Sequence, residues 1–524
     1  FLSECCKKYD EKKIWDKINN TTMPHHWFNR TKYKKDVLYI NSLYEAMLTS
    51  LISELNNSHK VNHSNHYWRI IIGPWLTKYI TTLWDRWESI RSFGDLGIKC
   101  ESVVPNHYFN TLAIKDCGDA IKLMHSSDVW NYFIYSDALK LQNYKNIKLI
   151  ERDILLDEKN NMLGGNEYSL TYNIAMGIDK FLGKVPKGRT NSFVFYKTYF
   201  PEKFLLNIFY KTDTLPRLYS EFEKNINYNN DHFFVRPKLK KREGVTKFEQ
   251  FLYRRVFKDM PKSYLEGYKN LTTYCKSLPN AEVIFTANAH INNDVFKTWC
   301  AQQTDNGAQL IISDHGATAF CLNYQFGHED KISDKRTVWH IELDSKHVKL
   351  SPNKLIDKNK NKKNNKGQII FINNHCNRYL LTSNNGLQGP LFIDYFNQMI
   401  SFIDLLDKKT RVAFKIRPGN VNGWFPKERY SDIYGKEIIS KNKTLHKDIE
   451  KSKLVICTYP ETTFLEAMHS GVPTVLIYKE EYYELIPIFE ELMIKLKMAS
   501  IVFTDPVEAA KHINSISSNP EKWW

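Results

Sequence analysis

The stretch KLVICTYPETTFLEAMHSGVPTVLIY, residues 453–478, decides the fold. Residues 454–458 and 472–477 are continuous apolar runs, as expected for parallel strands that are covered on both faces. Between them, residues 462–469 have the apolar spacing of a short amphipathic helix, which Pro460 precedes and Gly471 ends. The stretch therefore predicts one strand-helix-strand unit of a parallel α/β sheet.

The turn before this helix is the expected ligand site. The N–H groups of Glu461, Thr462 and Thr463 lack intrahelical acceptors and lie at the positive end of the helix dipole. Open parallel sheets bind ligands beyond the carboxyl ends of their strands, so a phosphate fits here. The alternative is that Thr462 or Thr463 only caps the helix.

Charged side chains nearby favour a nucleotide over a bare phosphate. Residues 411–416 (RVAFKI) predict a neighbouring buried strand, and two cations stand at its end. Glu466 follows Thr462 by one helical turn and is placed to accept hydrogen bonds from sugar hydroxyls. The ring of Tyr459 is expected to stack on the nucleobase or to border it. The full set expected to bind a nucleotide is Lys415, Arg417, Tyr459, Glu461, Thr462, Thr463 and Glu466.

Composition narrows the class of protein. A chain of 524 residues exceeds the usual size of one core, so two large domains are expected. The net charge of +16 favours anionic substrates or peripheral contact with an anionic membrane, although lysine-rich composition alone is an alternative explanation. Because the sequence has no zinc-finger, RNP or helix-turn-helix motif, we expect no nucleic-acid partner.

The cysteines indicate a reducing compartment. There are nine, scattered and without a CxxC pair, which favours buried free thiols over disulfides or a metal site. The sequence also has no apolar run of the length that spans a membrane. We therefore expect a cytoplasmic protein, at most peripheral on the inner face of the membrane.

Periodicity along the chain predicts two α/β domains. Helices are expected at 44–59 and 67–90, the second kinked or begun at Gly73-Pro74. Residues 103–250 have only a weak pattern, and strand-helix alternation returns from 266 onward. Within it we expect helices at 294–305, 482–497 and 506–516 and a buried strand at 368–372. We predict two Rossmann-like doubly wound domains, 1–345 and 367–524, joined by a basic linker of residues 346–366 that includes the hinge KLIDKNKNKKNNK (354–366).

A polar cluster follows the predicted strand at 308–313. Asp314 and His315 come directly after it, and His328, Glu329 and Asp330 follow. Such residues at the carboxyl end of a buried strand are either catalytic or structural hydrogen-bonding groups, and both interpretations stay open. Their spacing fits no metal-binding signature, so no metal site is expected.

The chain resembles a family of transferases whose genes lie in bacterial surface-carbohydrate loci, often beside genes of nonulosonic-acid biosynthesis. This family is related to the capsule Kdo transferases. The family's usual Gln-His-Gly-Gly step reads Asp314-His315-Gly316-Ala317 here. The resemblance implies the GT-B architecture, in which two Rossmann-like domains face each other across a cleft. The stretches that carry it are 1–6 (FLSECC), 44–59, 67–87, 261–278, 296–339 and 453–476.

The resemblance implies a glycosyltransferase. It would move a nonulosonic or related ulosonic acid from a CMP-sugar co-substrate to a glycan or lipid-linked glycan of the bacterial surface, without a metal or cofactor. His315, Glu329 or Glu4 would be the general base or the nucleophile, and inversion and retention both stay open. The alternatives are an alditol-phosphate transferase of the teichoic-acid type with a CDP donor, and a non-catalytic scaffold of envelope assembly.

Overall fold

The computed structural model describes residues 1–106, 114–153, 179, 193–228, 235–239, 244–316, 327–339, 342–356, 366–383, 386–419, 423–483, 485 and 487–524. The chain divides into two compact units. The N-terminal unit comprises Thr31–His315 and Gln325–Lys354, and the C-terminal unit comprises Phe1–Arg30, Gly316–Tyr324 and Leu355–Trp524. Most of the predicted hinge at 354–366 lies outside the described residues.

Helices and parallel strands alternate in both units, so the predicted α/β class is confirmed. The strands are β1 (Cys100–Pro105), β2 (Ile147–Arg152), β3 (Phe193–Tyr196), β4 (Val283–Thr286), β5 (Gln309–Ser313), β6 (Lys335–Val338), β7 (His347–Lys349), β8 (Gln368–Ile372), β9 (Phe414–Arg417), β10 (Ser452–Cys457), β11 (Thr474–Ile477) and β12 (Val502–Phe503).

The helices, in chain order, are α1 (Lys12–Trp15), α2 (Arg30–His59), α3 (Asn65–Gly94), α4 (Cys117–Ser126), α5 (Asp128–Gln142), α6 (Glu202–Lys211), α7 (Lys247–Asp259), α8 (Tyr268–Lys276), α9 (Ala289–Asn292), α10 (Asp294–Asp305), α11 (His328–Ile332), α12 (Phe392–Asp404), α13 (Lys408–Ala413), α14 (Pro426–Tyr434), α15 (Leu445–Glu450), α16 (Thr462–Ser470), α17 (Glu490–Met498), α18 (Pro506–Ile516) and α19 (Pro520–Trp523).

Helix α3 forms the centre of the N-terminal unit. It runs unbroken for 30 residues and contains Pro74, so the helix does not begin at Gly73-Pro74, and the alternative, a kink at this step, stays a prediction. Ser64 caps it by accepting a hydrogen bond from the backbone N–H of Tyr67. The helix is buried on nearly every side, as expected for one that is apolar around its circumference. At Gly73 a Cβ would lie 2.6 Å from Cε1 of His328, so only glycine admits that ring.

The main sheet of the N-terminal unit is parallel, with the strand order β3-β4-β5-β6-β7. The strands lie side by side in the order in which they occur along the chain, so the strand order does not reverse within the described part of this sheet. The doubly wound order predicted for this half is therefore not seen in the described part of the sheet. A separate parallel pair, β1 with β2, lies in the stretch whose periodicity was weak.

The sheet of the C-terminal unit is parallel, with the order β12-β11-β10-β8-β9. The first strand of this sheet along the chain is β8. The next strand, β9, pairs on one side of it, and β10, β11 and β12 follow on the other side. This is a doubly wound sheet, and its topological switch point lies between β8 and β10. Both strands are apolar and buried, which explains why their continuous runs were recognisable.

Two predicted elements of this unit are corrected. Residues 411–413 belong to α13, which Asp407 caps by accepting a hydrogen bond from the N–H of Thr410, so the strand begins only at Phe414. The helix predicted at 482–497 begins at Glu490 instead. A single-turn 3₁₀ helix, Pro487–Phe489, precedes it, because proline inside a helix would remove a hydrogen bond and clash with the preceding turn.

The first residues of the chain fold onto the C-terminal unit. Cys5 lies in its hydrophobic core, where Sγ is 2.8 Å from the carbonyl of Arg378 and the Arg378 guanidinium donates to the Cys5 carbonyl at 2.8 Å. Tyr9 donates to Asp432 and lies under the guanidinium of Arg429. Glu4, expected beside the catalytic groups of the first domain, therefore belongs to the C-terminal unit. Local sequence patterns cannot show a contact 373 residues apart.

Candidate functional site

The switch point of the C-terminal sheet is built by hydroxyl and amide side chains. Asn373 follows β8 and Thr458 follows β10. The hydroxyl of Tyr395 donates to Oδ1 of Asn373 at 2.9 Å and lies 2.7 Å from Oγ1 of Thr458. Tyr430 donates to the same Asn373 oxygen at 2.8 Å. All four side chains are buried, so they fix the two strand ends relative to each other.

Helix α16 begins directly after this point, as predicted. Glu461 is its N-cap residue in extended conformation, and its side chain makes no capping bond. Gly471, with φ of 76°, ends the helix in the left-handed conformation that favours glycine. The hydroxyl groups of Tyr459 and Thr463 lie 2.6 Å apart, and the Tyr459 ring is only 7% exposed. Tyr459 thus offers little surface on which a base could stack.

The carboxyl group of Glu461 is the unusual group at this end of the helix. It is partly exposed, and within the described chain it has no hydrogen bond or ion pair; burial raises its pKa to about 7. A Cβ at Gly386, which has φ of 144°, would lie 3.7 Å from its Oε1 and 3.5 Å from the Tyr483 ring. Asn374 donates to the Tyr483 hydroxyl. The group can therefore accept or donate a proton near neutral pH.

Glu466 lies one turn further along α16 and is also partly buried. Its charge contributes to the raised pKa of Cys457, the last residue of β10, after burial as the main cause. It therefore lies on the side of the helix that approaches the carboxyl end of β10. Its predicted contact with a ribose stays a prediction.

The two cations predicted at the end of β9 have local partners. Arg417 donates to Oδ2 of Asp448, a fully buried carboxylate, at 2.6 Å. Lys415 donates to the carbonyl oxygen of Glu437 at 2.6 Å. Both acceptors lie in the segment that follows α14. This segment runs along the outer edge of β9, where Ile439 forms a parallel bridge with Ile416. Phosphate binding by either cation would require it to exchange these partners.

His315 is the accessible imidazole at the carboxyl edge of the N-terminal sheet. It follows β5, is partly exposed, and stacks on Tyr199 with 6.2 Å between ring centroids. Burial lowers its pKa, against the opposing effect of Glu329. The ring is therefore neutral at neutral pH, which is the form that can accept a proton.

Glu329 is held in a buried network next to this edge. Its Oε1 lies 3.1 Å from Nε2 of His290, and its Oε2 lies 2.9 Å from the guanidinium of Arg336. Burial by itself would raise its pKa, but Arg336 and His290 lower the pKa of Glu329 to about 2. An ionised carboxylate that is only 2% exposed orients its neighbours and cannot itself reach a substrate. Within the described residues, Nδ1 of His290 has no hydrogen-bond partner.

Arg336 joins this pair to the end of β5. It donates to Oδ1 of Asp314 at 2.6 Å, and Oδ2 of Asp314 accepts from the backbone N–H of Trp339 at 3.1 Å. Burial raises the pKa of Asp314 to about 6, with Arg336 acting in the opposite direction. One guanidinium thus serves two buried carboxylates whose pKa values lie far apart. Such separation is a common property of acid-base sites.

Comparison with known proteins identifies the family. All of residues 1–524 match the model described as LIC12162 family transferase. The chain belongs to the LIC12162 transferase family. The predicted relationship to a transferase family is thereby confirmed at the level of the transferase class. No curated protein and no solved structure matches this LIC12162 family transferase.

Several groups that organise the two sites of this LIC12162 family transferase were not predicted from the sequence. His290 and Arg336 in the N-terminal unit, and Asn373 and Tyr395 in the C-terminal unit, were not singled out. His290 and Asn373 follow buried strands, so the argument that selected His315 would also have selected them. Arg336 and Tyr395 lie inside a strand and a helix, where sequence offers no such signal.

The membrane question has a direct structural answer for the helices. Among the described helices of this family member, none combines the length and the apolar composition needed to cross a bilayer.

Proposed function

We propose that this transferase is a glycosyltransferase of the GT-B type, which moves a nonulosonic or related ulosonic acid from a CMP-activated donor to a bacterial surface glycan. The observation that carries the proposal is the switch point between β8 and β10, with Asn373 after one strand and Thr458 and the start of α16 after the other. Nucleotides bind at such points in open α/β sheets. Membership of a transferase family supports group transfer.

The C-terminal unit would bind the donor. The amide groups at the start of α16, from Glu461 to Thr463, would hold the phosphate of CMP and stabilise its charge as it leaves, so no metal ion is required. With its pKa of about 7, Glu461 can keep its proton and donate a hydrogen bond to a phosphate oxygen. Glu466 would accept hydrogen bonds from the ribose.

The N-terminal unit would supply the acid-base group. His315 is partly exposed and its pKa is lowered, so it can accept the proton of an acceptor hydroxyl. Glu329 would act through Arg336 and His290 and not on the substrate, which narrows its predicted role. Glu4, paired with Lys7 at 3.4 Å, is the weakest of the three predicted catalytic residues. A glycan or lipid-linked glycan would be the acceptor.

We place this reaction in the cytoplasm, at the inner face of the membrane. Cys5, Cys117, Cys275, Cys300 and Cys457 are buried as free thiols, which persist in a reducing compartment. Activated sugars and lipid-linked acceptors would meet there.

The test is release of CMP from CMP-sugars in the presence of a glycan acceptor. His315→Ala should lower turnover by about 100-fold, because general base catalysis is lost. Glu466→Ala should raise KM for the donor by about 10-fold, because a charged hydrogen-bond acceptor is lost. Exposed residues of the same kind, His446→Ala and Glu508→Ala, serve as matched controls.

The outcomes separate the alternatives. If His315→Ala and Glu466→Ala both match the wild type, the site assignment is wrong. A product that contains phosphorus would indicate alditol-phosphate transfer instead, and failure to bind any cytidine nucleotide would favour the scaffold. Loss of turnover after treatment with EDTA, with recovery on added metal, would contradict the metal-independent mechanism.

A further inference from the structure

Helix α6 packs on the edge of the N-terminal sheet by one face only. Phe209 is 3% exposed and makes an edge-to-face contact with Phe195 of β3, with 5.8 Å between ring centroids. Phe204 packs against Phe200 at 5.1 Å. Because residues three and four apart share a helix face, positions 204, 205, 208 and 209 face the unit. The opposite side of α6 faces away from it.

That opposite side carries large apolar side chains as well as cations. Leu206 is 55% exposed and Tyr210 is 86% exposed. Lys203 and Lys211 are both exposed, and Glu202, which precedes Leu206 by four residues, lies on the same side of the helix as Leu206. We name the set of Lys203, Leu206, Tyr210 and Lys211 the outer face of α6. After the helix, the chain continues with two further exposed apolar residues, Leu215 and Leu218.

We propose that the outer face of α6 docks on the surface of an anionic lipid bilayer. Leucine and tyrosine partition into the interface between headgroups and acyl chains, and lysines beside them keep their charge at the headgroups. The charge of the whole chain, +16, adds long-range attraction to an anionic surface. The inference is independent of the proposed reaction, since no residue of either candidate site takes part.

The size of the face favours a lipid surface over a second protein chain. A stable protein interface buries about 1,200 Å² or more in total, which two apolar side chains on a 10-residue helix cannot supply. A bilayer needs less contact area, because each lysine near an anionic surface contributes about 1 kcal/mol. Peripheral and reversible attachment is therefore the expected mode of binding.

The experiment is cosedimentation of the full chain with vesicles of phosphatidylcholine alone or mixed with phosphatidylglycerol. The wild type should bind the mixed vesicles and lose most of this binding at high salt, because exposed charges are screened. Leu206→Asp with Tyr210→Asp should lower the partition coefficient at least about 10-fold. The matched control, Val412→Asp with Met498→Asp, changes two apolar residues that are 80% and 81% exposed in the C-terminal unit and should bind as the wild type does.

A second pair isolates the charges. Lys203→Gln with Lys211→Gln should lower binding to the mixed vesicles about 10-fold and leave the circular dichroism spectrum unchanged. The proposal is overturned if the wild type fails to bind mixed vesicles, or if either variant of the outer face binds them as the wild type does. It is also overturned if the aspartate variant instead abolishes a dimer in analytical ultracentrifugation or binding of a soluble glycan, since the face would then belong to another partner.

Discussion

Nε2 of His290 lies 3.1 Å from Oε1 of Glu329, with both side chains buried in the N-terminal unit. A carboxylate in this position fixes which ring nitrogen carries the proton and holds the plane of the imidazole. Arg336 fixes the carboxylate in turn. The pair therefore forms a rigid support beside His315, and its charges should be detectable in the stability of the protein.

Glu329→Gln should lower the free energy of unfolding by about 3 kcal/mol at pH 7, because it leaves the buried guanidinium of Arg336 with one anionic partner fewer. Urea denaturation measures the change. Glu437→Gln, at an 82% exposed side chain, is the control and should leave the free energy of unfolding nearly unchanged.

The same substitution has a predicted pH dependence. The pKa of Glu329 is about 2 in the folded protein and near 4.5 ordinarily, so its ionised form contributes stability above pH 4.5. This contribution is lost as the pH falls from about 4.5 to about 2. The stability advantage of the wild type over Glu329→Gln should shrink across this window, and an advantage that stayed constant would contradict the assigned pKa.

Glu461→Gln should behave in the opposite way. The pKa of Glu461 is raised to about 7, so folding favours its protonated form and the wild type loses stability as the pH rises from about 4.5 to about 7. Glutamine cannot ionise, so the variant should be more stable than the wild type by about 1–3 kcal/mol at pH 8 and nearly equal to it at pH 4. Urea midpoints at the two pH values measure this, with Glu508→Gln as the exposed control. Equal midpoints of the wild type and the variant at pH 8 would contradict the raised pKa of Glu461.

Tyr395→Phe should weaken both the fold and the nucleotide site. Its hydroxyl contacts Asn373 and Thr458 across the switch point, and its loss leaves buried polar groups unpaired, at a cost of about 1–3 kcal/mol. CMP affinity, measured by calorimetry, should fall about 5-fold or more as the strand ends lose their alignment. Tyr434→Phe removes a hydroxyl that bonds Asp404 at 2.9 Å and should leave CMP affinity unchanged. A matching loss of affinity in both variants would assign the effect to general destabilisation.

Gly73→Ala tests the close contact between α3 and α11. The added methyl group would lie 2.6 Å from Cε1 of His328 and 2.9 Å from the hydroxyl of Tyr44, so strain should cost about 1–3 kcal/mol. Thermal unfolding measures the loss, and His328→Ala added to Gly73→Ala should recover part of it. Gly118→Ala in α4 is the control, because its nearest atom would lie at 3.3 Å and its helix should tolerate alanine. Equal stabilities of the two alanine variants would contradict the packing.

Local signals predicted the elements with the best-marked ends. The helices at 294–305 and 506–516 and the strand at 368–372 agree with the structure residue for residue. Both helices begin at side-chain caps, Asn293 and Asp505, which accept hydrogen bonds from the following backbone. A continuous apolar run marks the strand. Helices α4, α5 and α7 also begin at side-chain caps, at Asp116, Ser127 and Thr246, and were nevertheless not predicted, so a cap alone does not identify a helix.

Most of the candidate site depends on contacts between distant residues. The start of α16 was predictable because strand, turn and helix are adjacent in the chain. The pairing of His290 with Glu329, 39 residues later, follows from the order of the strands, which periodicity does not report. Periodicity shows which face of an element is apolar, and not which neighbour covers it. The partners of Lys415 and Arg417 were hidden for the same reason.

The bond between Cys5 and Arg378 has a consequence for biosynthesis. The ribosome releases Cys5 373 residues ahead of its partner, and at about 5–20 residues per second this delay is roughly 20–75 s. Throughout that interval Cys5 and its neighbours have no core to enter, because the strands and helices that form it are not yet synthesised. Docking of the segment around Cys5 should therefore be a late, post-translational step in maturation of the C-terminal unit.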